Sequence, residues 1–177
     1  LMDINRIEAG NLDLNVDALH LGQLAETVTN RLQVLAKQRQ IELTITWEDP
    51  LPVAWGDDDM LRRVLINLID NALKFTPTGG RVWVDVLPEP ALHAGVDEGA
   101  RCVITDTGPG IPAEFHNKVF DRYMRTNMGG AQIRGTGLGL TFCKLAVQAH
   151  EGRIWVEENR LGGSRFVFVL PGVPRLP

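Results

Sequence analysis

LRRVLINLIDNALKFTP, residues 61–77, decides how the chain folds. At about 100° per residue, Leu61, Val64, Leu65, Leu68, Ile69 and Ala72 share one broad arc, the mark of a helix with a buried face. Ahead of it, Gly56-Asp57-Asp58-Asp59 supplies an N-cap and first-turn acids, so the spacing predicts a helix near 58–74. Behind it, Thr76-Pro77-Thr78-Gly79-Gly80 ends the helix. Upstream, Ile41 to Trp47 alternates like a strand with one buried face. Before that strand, Leu21, Leu24, Ala25, Val28, Leu32, Leu35 and Ala36 form another helical stripe. Downstream, Arg81–Leu87 and Arg101–Thr105 read as strands joined by a polar connection, 88–100, to which the sequence assigns no role. A short helix is expected near 113–119. Residues 121–134 hold few apolar side chains, and mobility is expected there. Gly135-Thr136-Gly137-Leu138-Gly139 opens a helix reaching about His150. Strands near 153–158 and 164–170, with a Gly162-Gly163 turn, close the pattern.

These elements sum to a two-layer α/β sandwich, a mixed and mostly antiparallel sheet of about five strands with three helices on one face. Strands that follow one another as hairpins argue against a doubly wound parallel sheet. The chain has 177 residues, 44% hydrophobic and 23% charged, which is enough for a core and excludes wholesale disorder. Its net charge of −4, without a basic block, excludes ordinary nucleic-acid binding. No apolar run approaches the ~20 residues of a membrane span, and none reads as a signal peptide. Cys102 and Cys143 lack metal-ligand spacing and are expected to be reduced and buried, in a cytoplasmic setting.

Three features carry chemistry. Asn67, Asn71 and Lys74 lie at i, i+4 and i+7, one row on the face opposite the buried arc. A solvated face would more cheaply use Glu or Lys, because Asn costs roughly 0.5 kcal/mol relative to Ala inside a helix. Two amide oxygens and an ammonium suit a metal-bound polyphosphate. Asp106-Thr107-Gly108-Pro109-Gly110-Ile111-Pro112 follows a strand, and its carboxylate can accept a hydrogen bond from an exocyclic amine such as that of adenine. By itself this pattern is equally an ordinary Asp-initiated turn. Gly135-Thr136-Gly137-Leu138-Gly139-Leu140 leaves backbone N–H groups free at a helix start, as an anion site would. It fits neither the dinucleotide fingerprint nor a Walker-type loop.

Together these motifs resemble the catalytic, ATP-binding domain of sensor histidine kinases, within the superfamily that includes gyrase, the Hsp90 chaperones and MutL. The N box is Leu65 through Pro77, the first glycine box Asp106 through Ile111, the F box Val119-Phe120-Asp121-Arg122-Tyr123, and the second glycine box Gly135 through Leu140. The resemblance covers about residues 17–171. It implies that Asn71 coordinates a Mg²⁺ bridging the ATP phosphates, that Asn67 stands beside it, and that Lys74 contacts phosphate. It implies that Asp106 binds the adenine amine, with Gly108, Gly110 and Ile111 against the base. Residues 121–134 would be the ATP lid, with Arg122 and Arg125 as cationic arms and Tyr123 as an aromatic contact. Gly135, Thr136, Gly137, Leu138 and Gly139 would line the phosphates. In hydrolysing relatives a glutamate that activates water stands at the place of Asn67. An amide there implies phosphoryl transfer to a protein histidine instead.

The resemblance also divides the chain. Residues 1–14 look like the end of a dimerisation and phosphoacceptor helix, 15–171 the catalytic domain and 172–177 a tail. The start at Leu1 suggests a piece of something longer. Of the four histidines, only His150 precedes an acid, and its place at a helix end makes it structural; His20, His93 and His116 read as surface groups. The chain is therefore expected to bind ATP and Mg²⁺ yet to need a phosphoacceptor domain, with a response regulator receiver domain as further partner and a homodimeric parent, either free in the cytoplasm or membrane-anchored. Two other readings share these boxes: a nucleotide-binding regulatory module without kinase activity, and an anti-sigma-type serine kinase.

Overall fold

The computed structural model describes residues 13–122, 137–159 and 162–175. The first strand and helix are β1 (Asp17–Leu19) and α1 (Leu21–Gln38), followed by β2 (Glu42–Trp47), β3 (Ala54–Gly56) and α2 (Asp58–Phe75). Then come β4 (Arg81–Glu89), β5 (Gly99–Asp106), α3 (Gly139–Ala149), β6 (Arg153–Glu158) and β7 (Ser164–Leu170). Five strands form one sheet in the order β2-β4-β5-β7-β6. Only β2–β4 is a parallel pair, because α2 carries the chain across between them; β4–β5, β5–β7 and β6–β7 are antiparallel.

Alternation explains the layering. Val82, Val84 and Val86 of β4, Cys102 and Ile104 of β5, and Phe166 and Phe168 of β7 point to one face. That face and the apolar stripes of the three helices form a single core, with Leu61, Val64, Leu65, Leu68 and Ile69 of α2 at its centre. α2 packs against α1 on one side and α3 on the other. Its start is the one the sequence calls for: Asp57 Oδ1 accepts the Met60 N–H at 3.1 Å, and Asp58 and Asp59 occupy the first turn. Its end is also local, since Thr76 turns extended ahead of Pro77 and its hydroxyl donates to the Ala72 carbonyl at 2.7 Å.

Two differences from the sequence reading have physical causes. Residues 113–119 do not make an α-helix; only Ala113–Phe115 form a 3₁₀ turn, and turns continue to Phe120. So short a segment gains too few hydrogen bonds to offset helix nucleation, and burial of Val119 and Phe120 holds it instead. Phe120 meets the Phe166 ring edge-on at 6.2 Å. The second difference is a small sheet of β1 and β3, strands of three residues each, too short to show a period.

The 88–100 connection is anchored by the chain's last described residues. Ala54 bridges Gly172, Val96 bridges Pro174, and the Asp97 N–H donates to the Val173 carbonyl at 3.0 Å. The Arg175 side chain holds Asp97 at 2.7 Å. Residues read as a tail are thus in register with the rest as far as Arg175. The helix end expected at 1–14 falls almost wholly outside the described residues. No described helix is long and apolar enough to cross a membrane.

Candidate nucleotide site

Asp106 ends β5 at 3% exposure. Its Oδ1 accepts two backbone N–H groups, Gly108 at 2.8 Å and Ser164 at 3.2 Å. Burial raises the Asp106 pKa, and these two donors pull it partly back. Oδ2 has no hydrogen-bond partner among the described residues. One carboxylate oxygen therefore fixes the turn, and the other remains as an acceptor.

The backbone around Asp106 is packed too closely for side chains. A Cβ on Gly108 would lie 2.9 Å from the Phe75 carbonyl oxygen, so this loop sits directly on the last turn of α2. Gly163, with φ +92, is tighter still: its Cβ would lie 2.0 Å from the Asp106 carbonyl oxygen. Asn159 Nδ2 donates to that same oxygen at 3.3 Å. The β6–β7 turn thus clasps Asp106 from behind. Sequence reasoning marked Gly162-Gly163 only as a turn and missed Ser164 and Asn159; the glycine pair was the one available signal. Ile111 is half-buried against the core, and its carbonyl accepts a bond from His116 Nε2 at 2.8 Å. His116, read as a surface group, therefore clamps the glycine loop.

Asn67 and Asn71 are half-buried on α2 and Lys74 is exposed. Lys74 pairs with Asp70, one turn back. An exposed i,i+4 pair contributes only about 0.3–0.5 kcal/mol, little against a polyphosphate competing for the ammonium. α3 runs antiparallel to α2. Gly139 meets Asn67, Cys143 meets Val64, and Arg63 lies over the Phe142 ring at 4.0 Å. At the far end, His150 meets Asp57. The N-terminus of α3, with its free N–H groups, therefore stands level with Asn67. The site has a polarity along α2: Asp106 and Gly108 at Phe75, then Asn71, then Asn67 and Gly139. From Phe75 to Asn67 is two turns, about 12 Å along the axis.

Gly137 takes φ +66, and Leu138 is half-buried against the core just before α3. Arg122 is exposed at the end of its described run. Tyr123, Arg125, Gly135, Thr136 and the lid stretch 123–134 lie outside the described residues. Among the described residues no three His, Cys, Asp or Glu side chains cluster as a metal cage. A hard ion at Asn71 would rest on amide, phosphate and water oxygens, a donor set that suits Mg²⁺.

His150 is structural, as the sequence reading holds. Its Nδ1–H donates to the Ala146 carbonyl at 2.7 Å, and Nε2 accepts the Asp57 N–H at 2.9 Å. Those partners require the neutral ring. Burial is the main cause lowering its pKa from 6.5; the Ala146 carbonyl and the Asp57 charge oppose it. The unfolded chain therefore takes up this proton first as pH falls. The site's contribution to stability is complete above about pH 6.5 and is lost as pH falls toward the lower folded value. Denaturant unfolding at about pH 7 and 5.5 is expected to show a loss in the natural chain that is smaller in His150→Gln; equal losses would contradict this.

A one-sided α/β sandwich, with a carboxylate acceptor at one end of a helix and the Asn67 amide beside a second helix's N-terminus, fits a nucleotide-binding domain. A model of the histidine kinase-, DNA gyrase B-, and HSP90-like ATPase family matches residues 56–174, and the chain belongs to that family of ATP-binding domains. It is 36% identical over 99% of its length to the hybrid signal transduction histidine kinase D of Dictyostelium discoideum, covering 11% of that protein. It is likewise 36% identical over 96% of its length to the adaptive-response sensory kinase SasA of Nostoc, covering 37% of it. The chain thus spans well under half of these relatives. The fold matches full-length ShkA in complex with AMPPNP, with a TM-score of 0.81 at 26% identity over 98% of this chain and 35% of that one. It also matches the catalytic domain of histidine kinase ThkA, with a TM-score of 0.73 at 26% identity over 90% of this chain and 99% of that one.

Proposed function

We propose that this domain transfers the γ-phosphoryl group of ATP to a histidine on a dimerisation and phosphoacceptor domain, within a two-component sensor kinase. The observation that carries the reading is the amide of Asn67. It faces the start of α3, where a catalytic carboxylate would be needed to activate water, and an amide has no basic lone pair at neutral pH. In this reading Asp106 Oδ2 takes the adenine amine, and Gly108, Gly110 and Ile111 let the base lie flat. Asn71 would hold a Mg²⁺, which would neutralise phosphate charge, with Asn67 beside it. Lys74 leaves Asp70 for phosphate, and the N-terminus of α3 faces the same anion. Arg122, Arg125 and Tyr123 belong to a covering segment. Positioning and charge neutralisation are what phosphoryl transfer requires of a protein. The phosphorylated histidine would in turn supply a response regulator receiver domain, the parent being a homodimer with this domain in the cytoplasm.

The test mixes this chain with Mg-ATP and a separately made phosphoacceptor domain. Acid-labile phosphohistidine is expected on the acceptor; nucleotide binding without it would favour a regulatory module, and labelled serine an anti-sigma-type kinase. For the metal, Asn71→Ala is expected to abolish the tightening of ATP binding by Mg²⁺, a loss of roughly 10-fold or more. Equal affinity with and without Mg²⁺ in the natural chain would refute that role.

A further inference from the structure

α2 carries two consecutive arginines that no motif claims, and the structure gives them different places. Arg62 is occupied locally: its guanidinium donates to Asp58 Oδ2 at 2.7 and 3.1 Å, one turn back. Arg63 lies across the crevice between α2 and α3, its guanidinium carbon 4.0 Å from the centre of the Phe142 ring. Arg63 is exposed, whereas Phe142 is 2% exposed, so a fixed ring stands against a reachable cation. Such a contact holds a guanidinium in place without using up its N–H donors. Position gives this cation a use. Arg63, Asn67, Asn71 and Lys74 stand at i, i+4, i+8 and i+11, one row along α2. Asp106 and Gly108 lie at the Phe75 end of that row, and Gly139 meets Asn67 nearer the other end. Arg63 is one turn beyond Asn67, with about 5–6 Å between the Cβ atoms of such neighbours. A nucleotide whose base lies at Asp106 and whose phosphates run toward Asn67 reaches Arg63 only with its last phosphate.

We propose that Arg63 is a further catalytic residue, a guanidinium that grips the γ-phosphoryl group as it leaves ADP for the acceptor histidine. The inference rests on the proposed transfer reaction and adds a contact that the motifs do not mark. In that step a ring nitrogen of the neutral acceptor imidazole forms a bond to the γ-phosphorus. The bond to the β–γ bridging oxygen breaks, and its electron pair stays with ADP. The other ring nitrogen loses its proton to water. Negative charge meanwhile spreads over the three equatorial oxygens of the group in transfer. A planar fork of donors can meet two of those oxygens at once, which an ammonium cannot. Packing on Phe142 alone would be served by any long apolar side chain, whereas the end of a row of amides and cations calls for charge.

The test compares Arg63→Met and Arg63→Lys with the natural chain, reading Mg-ADP affinity, Mg-ATP affinity and the rate of phosphoryl transfer to an added phosphoacceptor domain. Met keeps a long stem against Phe142 without the charge, so its melting temperature should stay close to that of the natural chain. Arg63→Met is expected to slow transfer roughly 10- to 100-fold. It should lower the ratio of ATP to ADP affinity roughly 3- to 10-fold and leave ADP affinity within about twofold. Arg63→Lys keeps a point charge and is expected to recover part of the rate. Transfer by Arg63→Met at the natural rate, or an ADP affinity that falls as far as the ATP affinity, overturns the inference. A natural chain that binds ATP yet transfers nothing overturns the proposed reaction instead. The ATP-to-ADP ratio then decides by itself whether Arg63 touches the last phosphate.

Discussion

Asp106→Asn is expected to lose adenine nucleotide binding while keeping its fold. The substitution preserves Oδ1, so the N–H groups of Gly108 and Ser164, now at 2.8 and 3.2 Å, keep their acceptor. At the second position it replaces an oxygen acceptor by an N–H₂ donor, which confronts the donor of the adenine amine. Losing one hydrogen bond to a charged group costs about 1.5–3 kcal/mol, roughly 10- to 150-fold in affinity, before any repulsion. The same change should relieve the fold. Burial raises the Asp106 pKa, so the folded state binds more protons than the unfolded state between the ordinary 3.8 and the raised value. Stability therefore falls as pH rises through that window, and above it the ionised carboxylate is a standing cost. The melting temperature of nucleotide-free Asp106→Asn should be no lower than that of the natural chain at neutral pH. Hypoxanthine nucleotides, which carry an oxygen in place of the amine, should recover part of the lost affinity. A variant that binds ADP normally, or one that simply unfolds, would contradict this assignment.

Gly163→Ala should be the most damaging single methyl group in the site. The new Cβ would lie 2.0 Å from the Asp106 carbonyl oxygen and 3.0 Å from its Oδ1. Gly163 also holds φ +92, where an L residue is strained. Strain of about 1–2 kcal/mol and overpacking of about 1–3 kcal/mol together predict a loss of roughly 2–5 kcal/mol. For a chain of this size that lowers the melting temperature by roughly 10 °C. Nucleotide affinity should fall with it, because Asp106 must move. Gly162 is the control: it holds φ +86, yet a Cβ there meets nothing within 4 Å. Gly162→Ala should therefore cost only the strain. Equal melting temperatures for the two variants would show that the turn yields freely and does not clasp Asp106.

Much of this arrangement is legible in the sequence wherever local chemistry agrees with tertiary packing. α2 announces itself through its apolar period, the capping Asp57 and the stop at Thr76-Pro77, and each does in the structure what its chemistry suggests. Asp106 is legible as a strand-end carboxylate beside glycines. Which oxygen is spent on the turn is not, because Ser164 lies 58 positions away and reaches it only through the β5–β7 pairing. The contact of Cys143 with the Val64 carbonyl was hidden for the same reason, since Val64 belongs to another helix. β1 and β3 were too short to show alternation, and the parallel β2–β4 pair follows from a crossover that a list of successive strands does not reveal. The segment 113–119 is expected to be a short helix, and the structure keeps only a 3₁₀ turn there. Burial of the adjacent Val119 and Phe120 holds the segment without an α-helix.

The most direct test titrates this chain with ADP and with inosine diphosphate, in which an oxygen replaces the amine at the 6-position of the base and the neighbouring N1 carries a hydrogen. If the free oxygen of Asp106 accepts that amine, ADP binds and the inosine nucleotide binds roughly 10- to 150-fold more weakly. Equal affinity for the two would mean that Asp106 does not read the base.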